Sequence, residues 1–451
     1  MPVIAPEQKK WWVLTAMGGV LGLVLLDETV VGVALPTMRD ELGMSQVTAH
    51  WVISAYLLVF TGLVAAGGKL GDIVGRKTLF VASIVVFGLS SVACGFATDG
   101  TMLVVARIVQ GIGAAAIFPT SMAIVTTTFA PEERGMALGV ISAAGTFFLA
   151  IGPFVGGLLT DTLSWRWIFW INPVIVVAIA LVTIAVYVEP TRKGPADRID
   201  KLGSVSLVAG LGMVIFSVME GPERGWGNPL IIALLVGGVI VLATFVRTEL
   251  RRDKPLIDVR LFHGATFTSS NLVLFTAQFN QMIVVVFGAL YFQDVLKMSP
   301  FVAGLALLAG VGAIPIISAP TGRLVDRIGA RHVALGALAL ATCGQLWIAI
   351  LANAHSYIVL APALFFWGAS NAAMFIAPRR AVVNALPPEE HGEAGGVTVT
   401  AQLLGGTVGI AVASTLYAAT GDFMTVFLAP AVVSAVVLFI AWRGLERPEH
   451  P

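Results

Sequence analysis

Long runs of apolar residues, broken by short polar segments, organise this chain from Trp11 to Trp442. A helix needs about 20 mostly apolar residues to cross a bilayer core. Runs of that length lie near 12–36, 48–68, 78–98, 101–121, 136–158, 166–188, 203–220, 229–247, 265–292, 301–320, 332–352, 357–377, 396–418 and 422–442, which predicts about fourteen spans. The runs are continuous rather than alternating, so an all-α membrane protein is expected and not a barrel. The first run follows Lys9 and Lys10 as in a signal peptide. It is longer than the apolar stretch of about 7–15 residues typical of such peptides, and it contains Asp27 and Glu28. It therefore reads as a retained span.

Composition supports the pattern. Of 451 residues, 57% are hydrophobic and 12% charged, against about 25% charged in ordinary soluble domains. Mean hydropathy is +0.91. A net charge of +1 offers no global field for nucleic acid. Cys94 and Cys343 sit in separate apolar runs, and the six histidines are scattered. Neither a disulfide framework nor a metal site is expected, and no phosphate-binding loop argues for direct ATP drive. No cofactor is implied, and no nucleophile–base pairing suggests an enzyme.

Charge placement changes the picture most. If both termini lie on the inner side, the inner segments hold about 22 of the 27 Lys and Arg. These include Lys69, Arg76 and Lys77; Arg192, Lys193, Arg198 and Lys201; Arg247, Arg251, Arg252 and Lys254; Arg323, Arg327 and Arg331; Arg379, Arg380, Arg443 and Arg447. The outer segments hold about four, Arg39, Arg166, Arg224 and Lys297. A multi-pass protein of the cell inner membrane with both termini cytoplasmic is expected.

The chain also repeats itself. Met44-Ser45 precedes a span ending in the segment Gly68 to Lys77, and Met298-Ser299 precedes one ending in Gly322 to Arg331. Met, Ser, Gly, Leu, Asp and Gly recur at one offset of about 254 positions, the mark of two related halves. The expected organisation is a tail over 1–10, a six-helix bundle over 11–190, two inserted helices with linkers over 191–260, a second six-helix bundle over 261–442 and a tail over 443–451. Duplicated bundles with a site at their interface are a transporter architecture.

Several motifs carry a family resemblance. Gly68 to Lys77 resembles motif A of the major facilitator superfamily, and Arg107 to Ala115, which includes Gln110, resembles its motif B. Gly152-Pro153-Phe154-Val155-Gly156-Gly157 resembles the antiporter motif C. Leu26 to Pro36 and Trp165 to Pro173 are similar to segments of the fourteen-helix drug:proton antiporters. The chain has Gly32 where the first-span motif usually has Asn, and Phe148 where motif C usually has Gly. The resemblance implies an exporter of small amphipathic or drug-like molecules in exchange for protons. A narrow exporter of an endogenous metabolite or antibiotic is the alternative. A membrane enzyme or sensor would need clustered chemistry or a soluble output domain. The partners implied are a small-molecule substrate, protons and the lipid bilayer, with no nucleic acid, around a monomer.

The residues themselves add detail. A charge deep in a span costs at least about 2.5–3.5 kcal/mol, so Asp27 and Glu28 must pair, be protonated or face a wet cavity. Adjacent helical residues point about 100° apart, so both cannot face the same way. The family motif places its acid at Asp27, which is expected in the cavity, with Glu28 as the alternative. Arg107 stays charged and can tune a nearby acid; in the family it is associated with proton coupling. In the motif A loop, Gly68, Asp72, Gly75, Arg76 and Lys77, with Asp326 and Arg327 in the repeat, read as a tight turn and a breakable latch. Gly152, Pro153, Gly156 and Gly157 act on the backbone, kinking the fifth span and letting it pack closely against leak. Polar amides at membrane depth face protein or water. Gln110, Gln278, Asn280, Gln281 and Asn371 are therefore candidates for the substrate cavity, with Asn271 and Gln402 beside them. Gln281 falls at the repeat offset from Asp27. Glu220 and Asp294 are expected as solvated caps near outer span ends.

Overall fold

The computed structural model describes residues 6–130, 132–189, 200–252, 255–386 and 391–445. The expected inner charges Arg192, Lys193, Arg198, Lys254 and Arg447, with parts of both tails and of the central linkers, lie outside them. The described residues are helical throughout apart from turns and connections, and fourteen helical segments are long and apolar enough to cross a membrane.

The first six spans are α1 (Pro6–Glu41), α2 (Gln46–Val74), α3 (Arg76–Gly95), α4 (Gly100–Thr128), α5 (Arg134–Thr162) and α6 (Trp167–Val186). Then come α7 (Lys201–Arg224) and α8 (Pro229–Glu249). The last six spans are α9 (Ala265–Asp294), the paired α10 (Pro300–Val311) and α11 (Ala313–Ile328), α12 (Ala330–Leu351), α13 (Tyr357–Ala385), α14 (His391–Thr420) and α15 (Phe423–Gly444). One span, Pro300–Ile328, is interrupted at Gly312 and so gives two helices.

Many helices outrun the apolar runs that predicted them. α1 continues through Pro36, and α13 continues through Pro378. Proline is tolerated there because neighbouring groups in a bundle re-satisfy the backbone it frees. α4 continues to Thr128, where the hydroxyls of Thr126, Thr127 and Thr128 bond to carbonyls of their own helix.

The repeat is structural. Ser45 caps α2 and Ser299 caps α10, each accepting from a backbone N–H three residues on. Gly75, φ +106°, turns the chain from α2 into α3, and Gly329, φ +84°, turns it from α11 into α12. These left-handed positions suit glycine alone among common residues. Gly68 and Gly71, expected in the turn, instead lie within α2. Gly71 has its Cα against Thr120 of α4, where an added Cβ would come within 3.0 Å.

Packing follows the same plan in both halves. α1 lies on α5 as α9 lies on α14; α3 lies on α4 and α6 as α12 lies on α13 and α15. The halves meet along α5 with α10, α2 with α14, and α1 with α9. α7 packs on α8 and bridges α2 and α14. The seam is tight at the end away from the basic loops. There Arg39 pairs with Asp294 at 3.2 Å, Ser299 donates to Asp161 at 2.8 Å, and Gln293 donates to the Val33 carbonyl at 2.8 Å. Asp294 therefore holds the two halves together rather than acting as a solvated cap. Glu220 likewise accepts from Trp51 and pairs with Arg224. At the basic end α5 only brushes α11, and Gly135, Gly139, Gly322, Gly395 and Gly396 face open space. The molecule is thus closed at one end and open at the other.

Candidate functional site

The fork between Asp27 and Glu28 resolves by helix geometry. One turns into the first bundle and the other toward the seam, as a step of about 100° requires. Asp27, 1% exposed, forms an ion pair with Arg107, 0% exposed. Its other oxygen accepts from Gln110 at 3.1 Å and Asn172 at 3.4 Å. Arg107 also donates to the Val52 carbonyl at 3.0 Å and to Gln110 at 2.7 Å. Its guanidinium lies 4.1 Å from the Tyr56 ring centroid, a cation–π contact in a desolvated place. Ser91 ties Asn172 to the α6 backbone by accepting at 2.8 Å and donating to Phe169 at 3.0 Å. Here the structure corrects the expectation. Asp27 faces no opening and is enclosed by α1, α3, α4 and α6, because a permanent guanidinium on α4 draws it inward. Gln110 belongs to this enclosed cluster too, rather than to a cavity wall.

Glu28 is the carboxyl at the seam. It is fully buried, and its Oε1 accepts from Gln278 of α9 at 3.3 Å, while Oε2 has no hydrogen-bond partner among the described residues. Behind Gln278 runs a polar chain. Gln402 of α14 donates to the Gln278 Oε1 at 3.2 Å, and Arg379 of α13 donates to the Gln402 Oε1 at 2.7 Å. A guanidinium has donors only. It fixes the flip of Gln402, which fixes that of Gln278, so the last amide presents its NH2 to Glu28. Arg379 is exposed and Gln402 half-buried, so this chain leads from the open end to the buried acid. The apolar run over 357–377 stops short of Arg379, which the sequence places among the inner charges.

The other amides of α9 stay inside the second half. Gln281 accepts from Asn371 at 3.2 Å, and Asn280 donates to Ser434 of α15 at 3.0 Å. Asn271 bonds to its own helix. Of the five residues expected to line a cavity, the structure brings only Gln278 to the seam; the others join helices within a bundle. Asn172, Ser91 and Tyr56 were not singled out from sequence. Asn172, inside the Trp165–Pro173 segment, was the one polar residue at membrane depth that could have signalled the cluster.

The motif C segment clamps α5 between α1 and α10. Cβ atoms on Gly156 or Gly157 would strike the Val30 carbonyl or the Pro300 backbone, and one on Gly304 would strike Pro153. Pro153 has no N–H for the Leu149 carbonyl four residues back. The Thr29 hydroxyl of α1 supplies that donor at 3.0 Å. Two motifs, one on each helix, thus complete each other. In the motif A loop, Arg76 pairs with Asp72 at 2.9 Å, and its backbone N–H reaches Glu189; Lys77 bonds to the carbonyls of Ile184 and Tyr187 at 2.9 and 2.7 Å. Asp326 pairs with Arg380 at 3.1 Å, and Arg327 is exposed. Each of these contacts stays within one half, so the expected latch does not cross the seam here. No cluster of three or more metal-ligating side chains occurs among the described residues.

A family model described as Major Facilitator Superfamily matches residues 17–254 and 271–451. A puromycin resistance protein of Streptomyces alboniger is 35% identical over 416 residues, covering 91% of this chain and 82% of that protein. A multidrug resistance protein of Mycobacterium tuberculosis is 32% identical over 409 residues, covering 90% and 75%. A bacterial homologue of the human lysosomal transporter Spinster, in an inward-facing and unoccupied conformation, superposes with a TM-score of 0.69 at 16% identity, covering 98% of this chain and 99% of that one. That likeness speaks for the fold.

Proposed function

Because the chain belongs to the major facilitator superfamily, a family of membrane transporters, we propose that it exports small amphipathic, drug-like molecules in exchange for protons by alternating access. Two curated relatives are named for resistance to puromycin and to multiple drugs, and this supports export as the direction. A relative named for a single compound also favours a second reading, a narrow exporter of one metabolite or antibiotic. The excess of Lys and Arg at one end supports an inner-membrane protein with both termini in the cytoplasm. The monomer, and the division into two bundles with an inserted pair, belong to the same proposal.

One observation carries the coupling: Glu28 sits where the halves meet, with one oxygen held by Gln278 of the opposite half and the other without a partner. A buried carboxyl with so few donors is completed by a proton or by a donor group of the substrate. Binding one excludes the other, which is the logic of exchange. Opening the outer end separates α1 from α9, breaks the Gln278 contact and lets a proton take the place of the substrate; at the inner, basic end substrate takes the place of the proton. The transmembrane potential adds about 2.3 kcal/mol per charge per 100 mV. Asp27 and Arg107 hold a fixed internal field beside this acid rather than trading the proton themselves.

The test is export from proteoliposomes with and without an imposed pH gradient. Glu28→Gln is expected to fold, bind substrate and lose its response to the gradient. Asp27→Asn, which strands a buried guanidinium, is expected to be less stable and slower yet still respond. Full gradient-driven export by Glu28→Gln would reject the assignment. Loss of the response only in Asp27→Asn would return the proton to Asp27.

A further inference from the structure

A groove of about 480 Å³ opens on the flank of the molecule, between the start of α7 and the basic-end portions of α2, α3 and α4. It lies outside the seam and owes one wall to an inserted helix. Along α3 it runs from Leu79 to Val86, about 10 Å at 1.5 Å per residue. That is most of one leaflet of a hydrocarbon core about 30 Å thick. Its walls are apolar, from Leu63 and Leu70 on α2 to Ile112 on α4. Two serines line it, and both hydroxyls are engaged with their own helices. Ser83 donates to the Leu79 carbonyl at 2.7 Å and Ser204 to the Asp200 carbonyl at 2.8 Å. The groove thus offers no free polar group along its length. A molecule with scattered polar atoms would leave them unpaired there, whereas a hydrocarbon chain loses nothing.

The mouth has the opposite chemistry. Lys201 is exposed there, with no ion pair or hydrogen bond among the described residues. The neighbouring acid does not neutralise it: Asp200 caps α7 through the Gly203 N–H at 2.8 Å and pairs with Arg252. A hydrocarbon slot spanning most of a leaflet with an unpaired cation at its surface end matches a chain that carries a negative head. The geometry points to a binding site for an anionic phospholipid, one acyl chain in the groove and the phosphate at Lys201. The site gives the inserted pair a task. α7 meets α2 closely only farther along, where Val208 lies against Gly62, and it also reaches α14 through the Thr415 bond to the Val218 carbonyl. A lipid wedged below that crossing fills the gap between α7 and the first bundle, so α7 keeps its place on both halves as they rock.

Lipid retention tests this without any gradient, so its outcome is separate from the transport reading. The full-length protein is placed in nanodiscs of phosphatidylglycerol and phosphatidylcholine, and bound lipid is read by native mass spectrometry. The wild type is expected to prefer phosphatidylglycerol by about fivefold, the factor one surface lysine contributes. Lys201→Glu should erase the preference, and Ala82→Phe, which fills the groove from α3, should remove the bound lipid altogether. Size-exclusion profiles like that of the wild type show that both variants fold. An unchanged preference in Lys201→Glu, or equal retention of both lipids by the wild type, would overturn the proposal. So would displacement of the lipid by oleate, which would make the ligand a free fatty acid, or by a cationic dye, which would make the groove a substrate portal.

Discussion

The two halves bury a polar contact at corresponding places but build it from different chemistry. In the first, α1 and α4 bring Asp27 and Arg107 together as a fully enclosed ion pair. In the second, α9 and α13 bring Gln281 and Asn371 together as a neutral amide pair, and Gln281 stands 254 positions after Asp27. Both pairs join two helices of one bundle. Only the first concentrates charge, and only beside it does a second acid, Glu28, reach the seam. At this depth the contact of one half is thus charged and that of the other neutral.

The comparison can be broken first by removing one partner from each pair. Arg107→Met leaves Asp27 buried without its cation, a loss of about 3–5 kcal/mol for broken buried pairs. Asn371→Leu removes the donor to Gln281, a loss of about 1–3 kcal/mol. Thermal unfolding in detergent should rank Arg107→Met as clearly the more damaging. Equal losses would mean that the ion pair is not the organising contact of the first half.

Next come the devices that press the halves and their helices together. Thr29→Val takes the donor from the Leu149 carbonyl that Pro153 leaves free, and should cost about 1–3 kcal/mol. Gly157→Val pushes a branched side chain into the Pro300 backbone across the seam, with a similar overpacking penalty of about 1–3 kcal/mol. Gly322→Val, at the open end where nothing lies within 4 Å, should change melting temperature little. If Gly322→Val were as harmful as Gly157→Val, the two ends of the seam would not differ as described.

These positions also show what was legible in the chain. The span count, the repeat and the buried acids and amides could all be read, because apolar length and local motif order determine them. The direction each acid faces could not, since one residue of helical phase moves a side chain by about 100°. Nor could partners from distant segments: Asn172 is 145 positions from Asp27 and Gln278 is 250 from Glu28. Arg379 escaped for a more specific reason. The apolar run ends at 377, whereas α13 continues to Ala385, so a residue of the helix at the opening falls among the inner charges.

A milder change sharpens the difference between the two α9 amides. Gln278→Leu removes the donor from Glu28 at the seam, and Gln281→Leu removes the acceptor for Asn371 inside the bundle. Each forfeits about one hydrogen bond, roughly 1 kcal/mol. Gln278→Leu should move the pH midpoint of export by up to about one unit, the equivalent of about 1.4 kcal/mol. Gln281→Leu should lower stability without moving that midpoint. A shared shift would show that the neutral half also tunes the acid.

The smallest effect belongs to the ion pair that closes the seam, Arg39 with Asp294. Both side chains are partly exposed, so the pair contributes only about 0.2–1 kcal/mol. It crosses between the halves, however, while the charged pairs of the motif A loop and its repeat stay within one. Its energy therefore enters the balance between the closed and open forms of this end directly. Arg39→Ala should raise the population open at this end by up to about fivefold. Arg76→Ala, which breaks a contact within one half, should leave that population nearly unchanged in the present conformation. Spin labels at the exposed positions Leu163 and Lys297, on either side of the α5–α10 contact, would report it as a longer-distance component. If Arg76→Ala produced the larger shift, the motif A loop would be holding the halves together by a route other than its ion pairs.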